Sequence, residues 1–377
     1  MKNIEIRPLP SEKGELKKFV KFGIDLYDGN EYFVPPLVVD EVNTLMPTKN
    51  PALEFCEVQP FMAYLDGKPA GRIAAIINTA VNKRSGVNTL RFGFLDFIDD
   101  NDVVDALFEA AAAWGRQRGM TEMAGPLGFT DMDHEGMLTF GFDEMGTMAT
   151  IYNYPYYPKH MERMGFEKDA DYVEFRVKVP EKVPEKYQRV ADIVARRFEL
   201  REKKYTSAKK LKAEYGTAFF NLINEAYDDL YGYSPLTPKQ IDYYIDMYLG
   251  ILRLDCVSLI IDKNDELVAV GVSMPSMSKA LQKSKGRLLP MGWWYLWQGL
   301  QGKSDVVDLL LVAVKPEYQN KGVNALLFAQ LIPVFIKYGF KEAETNVELE
   351  GNENVQRQWE YFDHRLHRRR RVWKKKI

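Results

Sequence analysis

Apolar and polar residues follow two periods along this chain, and together they predict a mixed α/β protein. In the first half, spacings of three to four residues predict helices, and alternating or continuous apolar runs predict strands. The predicted order is a strand over 4–9, a helix over 12–27, a hairpin of 59–65 and 71–78, a strand over 89–97, a helix over 103–118 and a strand over 121–129.

The second half predicts a similar order. It consists of a strand over 198–205, helices over 209–226 and 238–249, a hairpin of 256–261 and 267–274, an insertion over 275–303, a strand over 306–314, a helix over 322–337, a strand over 342–349, a helix over 352–366 and a closing extended segment. The similarity indicates an internal duplication. Pro180 and Pro184 stand among charged residues and indicate a linker, which predicts domains over 1–180 and 186–377.

Composition narrows the class of protein. The chain has 377 residues, 46% of them hydrophobic and 28% charged, which is typical of two globular domains. A net charge of -2 argues against a generally basic nucleic-acid coat protein. Two cysteines and four histidines argue against a disulfide scaffold and a multi-histidine metal site, so we expect no metal. We expect a cytoplasmic protein without a membrane span, because neither a signal-peptide core nor a long apolar run is present.

The strongest chemical signal lies between a strand and a helix in the second half. The apolar run 309–314 is followed by Pro316, Gln319 and Gly322, and then directly by a helix pattern. The first N–H groups of a helix have no internal partner, and the helix dipole is positive there. Gly322 removes a side chain from this point and Lys321 adds a positive charge, which predicts a pyrophosphate cradle. The alternative is an ordinary strand–loop–helix joint.

These residues resemble the acyl-CoA loop of the Gcn5-related N-acetyltransferase (GNAT) family. Val314-Lys-Pro-Glu-Tyr318 matches the family's strand end, and Gln319 and Gly322 match its loop, whereas Asn324 departs from the usual small residue. The resemblance implies acetyl-CoA or another acyl-CoA as co-substrate. The residues implied to bind it are Leu311, Val312, Ala313, Val314, Gln319, Asn320, Lys321, Gly322, Val323, Asn324 and Asn354.

The same resemblance implies two catalytic residues. Asp308 lies fourteen residues before Gly322, in the place of a general base that takes a proton directly or through water. Tyr361 follows Asn354 by seven positions, as does the tyrosine that protonates the CoA thiolate in family members. The alternatives are that Asp308 is a strand-end residue bonded to the backbone and that Tyr361 is a core aromatic residue beside Trp359.

The first half resembles the family more weakly. Asn153-Tyr-Pro-Tyr-Tyr-Pro158 leads to Gly165-Phe166 as in the family's late helix, but Asp99, Asp100, Asp102 and Asp105 stand where a phosphate loop is expected. Carboxylates repel pyrophosphate, and they also cap helices. The fold class implied is therefore two tandem GNAT-like folds of the mixed α/β (α+β) kind. Each has a mixed, mostly antiparallel sheet flanked by helices, and the first has a degenerate CoA loop.

Three further segments leave their role open. The tryptophan-rich stretch 286–300 could line an acceptor or acyl pocket, lie at a membrane interface or, as we favour, pack the domains together. The loop with Asp131, Asp133, His134 and Glu135 could meet a cationic acceptor or a metal, although a solvated turn is the simpler reading. The basic tail after His364 could bind nucleic acid, but we predict an edge strand protected by charge.

Two functions of different class follow. The first is an N-acyltransferase with its active site in the C-terminal domain, acting on a small-molecule or peptide amine. The second is a non-catalytic tandem module that binds a ligand or a partner. A nucleic-acid partner is not expected. The sequence leaves open the acceptor, the acyl length and the oligomeric state.

Overall fold

Most predicted elements of the first half are present in the computed structural model, which describes residues 2–301 and 304–377. In chain order they are β1 (Ile4–Pro8), α1 (Lys13–Asp25), α2 (Val38–Leu45), β2 (Cys56–Leu65), β3 (Lys68–Asn78), α3 (Thr79–Ser85), β4 (Thr89–Phe97), α4 (Asn101–Arg116), β5 (Glu122–Gly125), β6 (Met137–Phe140), α5 (Tyr156–Arg163) and β7 (Glu167–Lys178). Asp66 and Gly67 both have positive φ, which suits the two-residue turn of the β2–β3 hairpin.

In the second half most helices and strands lie close to the predicted bounds, but a helix over 185–197 was not predicted, the strand over 198–205 is reduced to residues 201–202, and the helix over 352–366 is absent. The elements follow in chain order. They are α6 (Glu185–Arg197), β8 (Arg201–Glu202), α7 (Ala208–Tyr227), α8 (Pro238–Tyr248), β9 (Val257–Ile261), β10 (Leu267–Pro275), α9 (Ser278–Ser284), α10 (Gly292–Leu300), β11 (Val306–Val314), α11 (Val323–Tyr338), β12 (Glu342–Thr345), β13 (Glu348–Leu349), α12 (Glu353–Gln356) and β14 (His364–Lys376). The insertion 275–303 was predicted as one segment, and its residues 302–303 lie outside the described residues.

The chain divides into two compact units that are not contiguous in sequence. The first unit comprises Met1–Val173, Ser278–Leu296 and His367–Ile377, and the second comprises Glu174–Met277 and Trp297–Leu366. The predicted domains 1–180 and 186–377 remain a prediction, because a compact unit need not be a domain that folds alone.

The sheet of the first unit is mostly antiparallel. β1, β2, β3 and β4 follow one another as antiparallel neighbours, and β5 joins β4 in parallel. Residues 373–376 of β14 then pair with β5, and residues 369–371 pair with β6. α4 packs an apolar face of Val103, Leu107 and Ala111 on this sheet, all with no exposed surface.

The sheet of the second unit repeats the arrangement. β8, β9, β10 and β11 are antiparallel neighbours, and β12 joins β11 in parallel. Residues 176–178 at the end of β7 pair with the other side of β12. No helix in the described ranges is long and apolar enough to cross a membrane.

The basic tail is a strand, as predicted, but it is not an edge protected by exposed charge. Arg368 and Arg370 are only 1% exposed. Within the first unit they donate hydrogen bonds to the carbonyl oxygens of Met145 and Ile151. Arg371 makes a two-point ion pair with Asp171, at 2.7 and 2.9 Å. The edge prediction is wrong because these charges are satisfied inside the unit.

Candidate active site

β11 and β12 pair only over the first half of β11. The parallel register runs from Val306 with Glu342 to Leu309 with Thr345. The N–H of Asn346 then donates to the carbonyl of Leu309 at 3.0 Å, and the chain after β12 turns away. On its other side β11 stays paired with β10 as far as Val314. Residues 310–314 therefore present one edge where an extended, amide-bearing ligand can pair as an added strand.

The peptide groups that face this edge can be identified. The N–H of Lys315 donates to Val268 of β10 at 2.9 Å, and successive residues of a strand point to opposite sides. The backbone groups of Val312 and Val314 therefore face the open edge. In agreement, the Val314 carbonyl accepts a hydrogen bond from Nε2 of Gln319 at 3.1 Å.

Tyr227 is a residue of this edge that the sequence did not reveal. It ends α7, and its hydroxyl donates to the carbonyl of Val312 at 3.0 Å. Burial raises the pKa of Tyr227 well above its ordinary value, so the hydroxyl remains a donor. In the sequence this tyrosine stands among apolar residues at helical spacing. That pattern is common to many helices and does not indicate a site.

The helix that follows β11 begins as the sequence predicts. Asn320 and Gly322 have φ values of 58° and 84°, and Gly322 is the residue before the first turn of α11. The first N–H groups of α11, those of Val323 and Asn324, are the ones that a helix leaves for an anion. The Lys321 ammonium lies 5.5 Å from the ring centre of Phe198.

The space beside Gly322 belongs to another helix. A Cβ at this residue would lie 3.1 Å from Cγ1 of Val190 and 3.2 Å from Cγ2 of Val194, both in α6. A glycine is needed here for its left-handed conformation and for this close packing. α6 was missed in the sequence, although Tyr187, Ala191 and Val194 are buried at helical spacing.

The predicted helix over 352–366 is wrong. It is replaced by the single turn of α12, a 3₁₀ turn over Arg357–Tyr361, and β14. Trp359 anchors the turn, since it is buried and its Nε1 donates to Glu348 at 2.9 Å. Phe362 is already extended, with φ -125° and ψ 155°, so the chain leaves helical geometry before Asp363.

This turn places the late site residues near the helix start. Asn324 Nδ2 and Gln358 Oε1 are 3.5 Å apart, which links α11 to the turn. Tyr361 is 47% exposed, its ring lies 5.6 Å from that of Tyr187, and the Lys186 ammonium is 4.5 Å from its centre. Tyr361 is thus not a core residue. Asn354 is exposed on α12.

Asp308 lies inside the sheet rather than with that turn. It is directly beside Glu344 in the parallel pair, and Glu344 is beside Arg176 of β7. Asp308 and Glu344 are 2% and 3% exposed. Arg176 Nη2 contacts Glu344 at 2.8 Å. Directly paired residues share a face of the sheet, so two carboxylates and a guanidinium form a row. The sequence pattern alone does not identify Glu344 and Arg176 as residues of this row.

A further buried carboxyl lies at β13. Burial raises the pKa of Glu348 to about 8, with a smaller contribution in the same direction from Glu174. The Trp359 hydrogen bond favours the charged form and only partly offsets burial.

The corresponding junction of the first unit is closed by main chain. The N–H of Leu127 donates to the carbonyl of Phe92 at 2.8 Å. The Leu127 carbonyl lies 2.5 Å from where a Cβ of Gly93 would stand. The acidic turn before α4 caps that helix, because Asp100 accepts from the N–H groups of Asp102 and Val103. Nothing here resembles a phosphate cradle.

The acidic loop after β5 is partly buried, and its side chains make specific contacts. Asp133 Oδ2 accepts from the N–H groups of Phe129 and Thr130, both at 2.9 Å. His134 Nε2 lies 3.0 Å from the carbonyl oxygen of Met148, and burial lowers the pKa of His134. Burial raises the pKa of Glu135 to about 8, and Tyr172 donates to this carboxyl at 2.8 Å. These contacts hold the loop in place.

Known proteins are similar in sequence to this chain over most of its length. Protein YghO of Escherichia coli is 26% identical over 371 residues, 97% of this chain and 94% of its own. The bacterial ceramide synthase of Caulobacter vibrioides is 26% identical over 336 residues, 86% of this chain and 84% of its own. No family model matches the chain.

A solved structure shows the fold over almost the whole chain. The tandem GNAT protein from the clavulanic acid biosynthesis pathway superposes with a TM-score of 0.57 at 13% identity, covering 99% of this chain and 98% of that protein. The predicted tandem GNAT-like fold is confirmed, with a mixed, mostly antiparallel sheet flanked by helices.

Proposed function

We propose that this chain, with its tandem GNAT-like fold, is an acyl-CoA-dependent N-acyltransferase whose active site lies in the second unit. The observation that carries the proposal is the open edge of β11 beside the left-handed start of α11. The equivalent junction of the first unit is filled by Leu127. An extended arm with amide groups and a charged diphosphate, as in CoA, matches an unpaired strand edge that runs toward a helix N-terminus.

The described residues fit such a co-substrate in kind. The N–H groups of Val323 and Asn324 would hold the diphosphate, and Lys321 would add attraction. The Cα of Gly322 faces α6 and would not contact it. The backbone of Val312 and Val314 would pair with the amides of the extended arm. The carbonyls of Val312 and Val314 already accept hydrogen bonds from Tyr227 and Gln319, so the N–H groups are the ones that would pair with the ligand.

The transfer itself requires two proton movements. The amine nitrogen attacks the thioester carbonyl carbon, the C–N bond forms and the C–S bond breaks. One proton leaves the nitrogen, and the thiolate takes one. We assign the first step to Asp308, which is buried and would act through water, and the second to Tyr361, which is partly exposed. A β11 N–H would stabilise the developing oxyanion.

One relative supports a class of acceptor. The Caulobacter relative is named a ceramide synthase, and a ceramide carries an amide on a long-chain amino alcohol. An amphiphilic primary amine is therefore the acceptor that we would screen first, with small polar amines and peptides as comparisons.

A second candidate is a binding module without catalysis. Val190 and Val194 crowd Gly322, and Tyr227 occupies a carbonyl at the open edge. Both observations favour a cradle that has lost its ligand. Titration calorimetry with acetyl-CoA and a long-chain acyl-CoA separates the two, and an absence of binding at millimolar concentration would overturn the transferase proposal.

The sharpest variant is Asn324→Asp, which is nearly isosteric. A carboxylate in the first turn of α11 repels phosphate, and we expect acyl-CoA affinity to fall roughly tenfold or more. The same charge favours the helix dipole by about 0.3–1 kcal/mol, so stability should not fall. Asn101→Asp, in the first turn of α4, is the matched control and should leave affinity unchanged. Equal affinity in both variants would show that the cradle is misplaced.

A further inference from the structure

A groove on the first unit is open, apolar and lined on one side by lysines. Its volume is about 500 Å³, and it lies between α1, α2 and residues 286–289. Val38, Val39 and Val42 of α2 form one apolar wall, and Leu288 and Leu289 form the other. This groove, called the basic groove below, is distinct from the open edge of β11 in the second unit.

The lysines that line the basic groove are regularly spaced along α1. Lys13, Lys17 and Lys21 are spaced by four residues and share one face of α1, and Arg287 lies on the opposite wall. No acidic residue lines the groove in the described part of the chain. Of the acidic residues of α1, Glu15 pairs with Lys18, which does not line the groove, and Asp25 forms a long ion pair of 3.9 Å with the groove residue Lys21.

Large apolar side chains protrude beside the basic groove. Leu289 is 76% exposed, Met291 50% and Trp293 53%. We call residues 288–293 the apolar tip. Gly286, just before the tip, has positive φ, and its carbonyl accepts from the N–H of Val38 at 2.9 Å. Gln282 donates to the carbonyls of Glu31 and Phe33 at 2.8 and 3.0 Å. The unit therefore holds these side chains toward solvent rather than leaving them in a loose loop.

We propose that the basic groove and the apolar tip bind the surface of an anionic lipid bilayer. Exposed leucine, methionine and tryptophan side chains enter the headgroup and acyl boundary, and lysines beside them contact anionic headgroups. A second copy of this chain fits less well, because a symmetric contact would place lysine against lysine. A purely polar anion would leave the apolar tip without a partner. The proposal does not depend on the proposed transferase activity.

Co-sedimentation of the full chain with vesicles tests the surface directly. The probes are vesicles of phosphatidylcholine with phosphatidylglycerol and vesicles of phosphatidylcholine alone. We expect binding to the first at low salt, much weaker binding to the second, and weakening as salt rises. Each lysine near an anionic surface changes affinity several-fold, so the triple variant Lys13→Gln, Lys17→Gln, Lys21→Gln should bind roughly a hundredfold more weakly.

Two controls make the result specific. The triple variant Lys68→Gln, Lys83→Gln, Lys159→Gln changes the same charge at exposed positions that do not line the groove and should bind normally. Leu289→Ser with Trp293→Ser changes exposed residues only, so the fold should persist while binding falls. Absence of wild-type binding to anionic vesicles would overturn the proposal. So would equal losses in the two lysine triples, or an apolar-tip variant that dimerises less but binds vesicles fully.

Discussion

Two strand junctions of similar architecture end differently in this chain. In the second unit β11 parts from β12 after Leu309, and the side-chain amide of Asn346 reaches across to the carbonyl of Leu310 at 3.1 Å. In the first unit the main chain of residues 125–128 follows β4 past the equivalent point. The comparison teaches that a tandem fold can keep one ligand edge and lose the other through a few loop residues, without any change of topology.

The residues that precede the two junctions also differ between the units. Each strand carries a bulge, and just before it stand Phe92-Gly93 in β4 and Asp308-Leu309 in β11. Phe92 has no exposed surface and packs in a T-shaped contact with Phe108. A buried aromatic residue therefore holds the position where the second unit has a buried acid.

The largest expected effect is at that acid. Asp308→Asn should lower the turnover of an amine acceptor by about a hundredfold or more, because the general base is lost, while acyl-CoA affinity stays the same. Asp305→Asn, at an exposed carboxylate just before β11, is the matched control. Steady-state kinetics with calorimetry would measure both. Unchanged turnover in Asp308→Asn would show that Asp308 is not the general base. The two junctions would then not differ in this chemistry.

The next effect concerns the start of α11. Gly322→Glu should weaken acyl-CoA binding by roughly a hundredfold, because it adds a carboxylate at the positive end of the helix. Gly339→Glu is the matched control, since Gly339 also has positive φ and ends the same helix with no atom within 4 Å of an added Cβ. Both variants share the cost of a side chain at positive φ, but only Gly322→Glu also meets Val190 and Val194, so circular dichroism and thermal unfolding should show how much of any loss reflects folding. Equal binding of both variants would contradict a cradle at this end.

A smaller effect tests closure of the first junction. Gly93→Ala would drive a methyl group into the Leu127 carbonyl and should lower the free energy of unfolding by about 2–3 kcal/mol. Gly271→Ala in β10 of the second unit meets only ordinary contacts, at 3.4 Å or more, and should change stability little. Urea unfolding measures both. If Gly93→Ala costs no more than Gly271→Ala, the first junction is looser than described.

The smallest effect compares one buried carboxyl from each unit. Burial raises the pKa of both Glu135 and Glu348 to about 8, so the folded state keeps a proton that the unfolded chain releases. Stability from these groups is present at acidic pH and falls as pH rises from about 4.3, the ordinary value, to about 8. A full shift of the pKa from about 4.3 to about 8 corresponds to roughly 5 kcal/mol, but both side chains keep some contact with water, so Glu135→Gln and Glu348→Gln should each reduce the fall in the free energy of unfolding across this range by about 1–2 kcal/mol. A slope as steep as in the wild type would contradict both assignments.

The elements of the site were predictable where the sequence signal is local. β11 has its predicted bounds because a continuous apolar run ends at a proline, and α11 starts after a glycine that adopts left-handed geometry. The spacing of Tyr187, Ala191 and Val194 is a local signal for α6, but the many charged residues around them make that signal weak.

The remainder depends on partners that are distant in sequence. Arg368 and Arg370 look solvated in a run of basic residues, yet their acceptors are carbonyls of Met145 and Ile151, more than 200 positions away. Glu344 and Arg176 come together only through strand register. The helix predicted over 352–366 is absent because Trp359 is hydrogen-bonded to Glu348. The periodicity of apolar residues does not reveal that contact.

The strand that completes the first sheet has a consequence for synthesis. Residues 373–376 pair with β5, yet they follow Val173 by roughly 200 residues, which at about 5–20 residues per second means a delay on the order of 10–40 s. During translation β5 of the first unit therefore lacks this neighbouring strand. The two strands can pair only after residues 373–376 have been synthesised. A chain released before residue 373 would present β5 as an unpaired sheet edge, which favours aggregation.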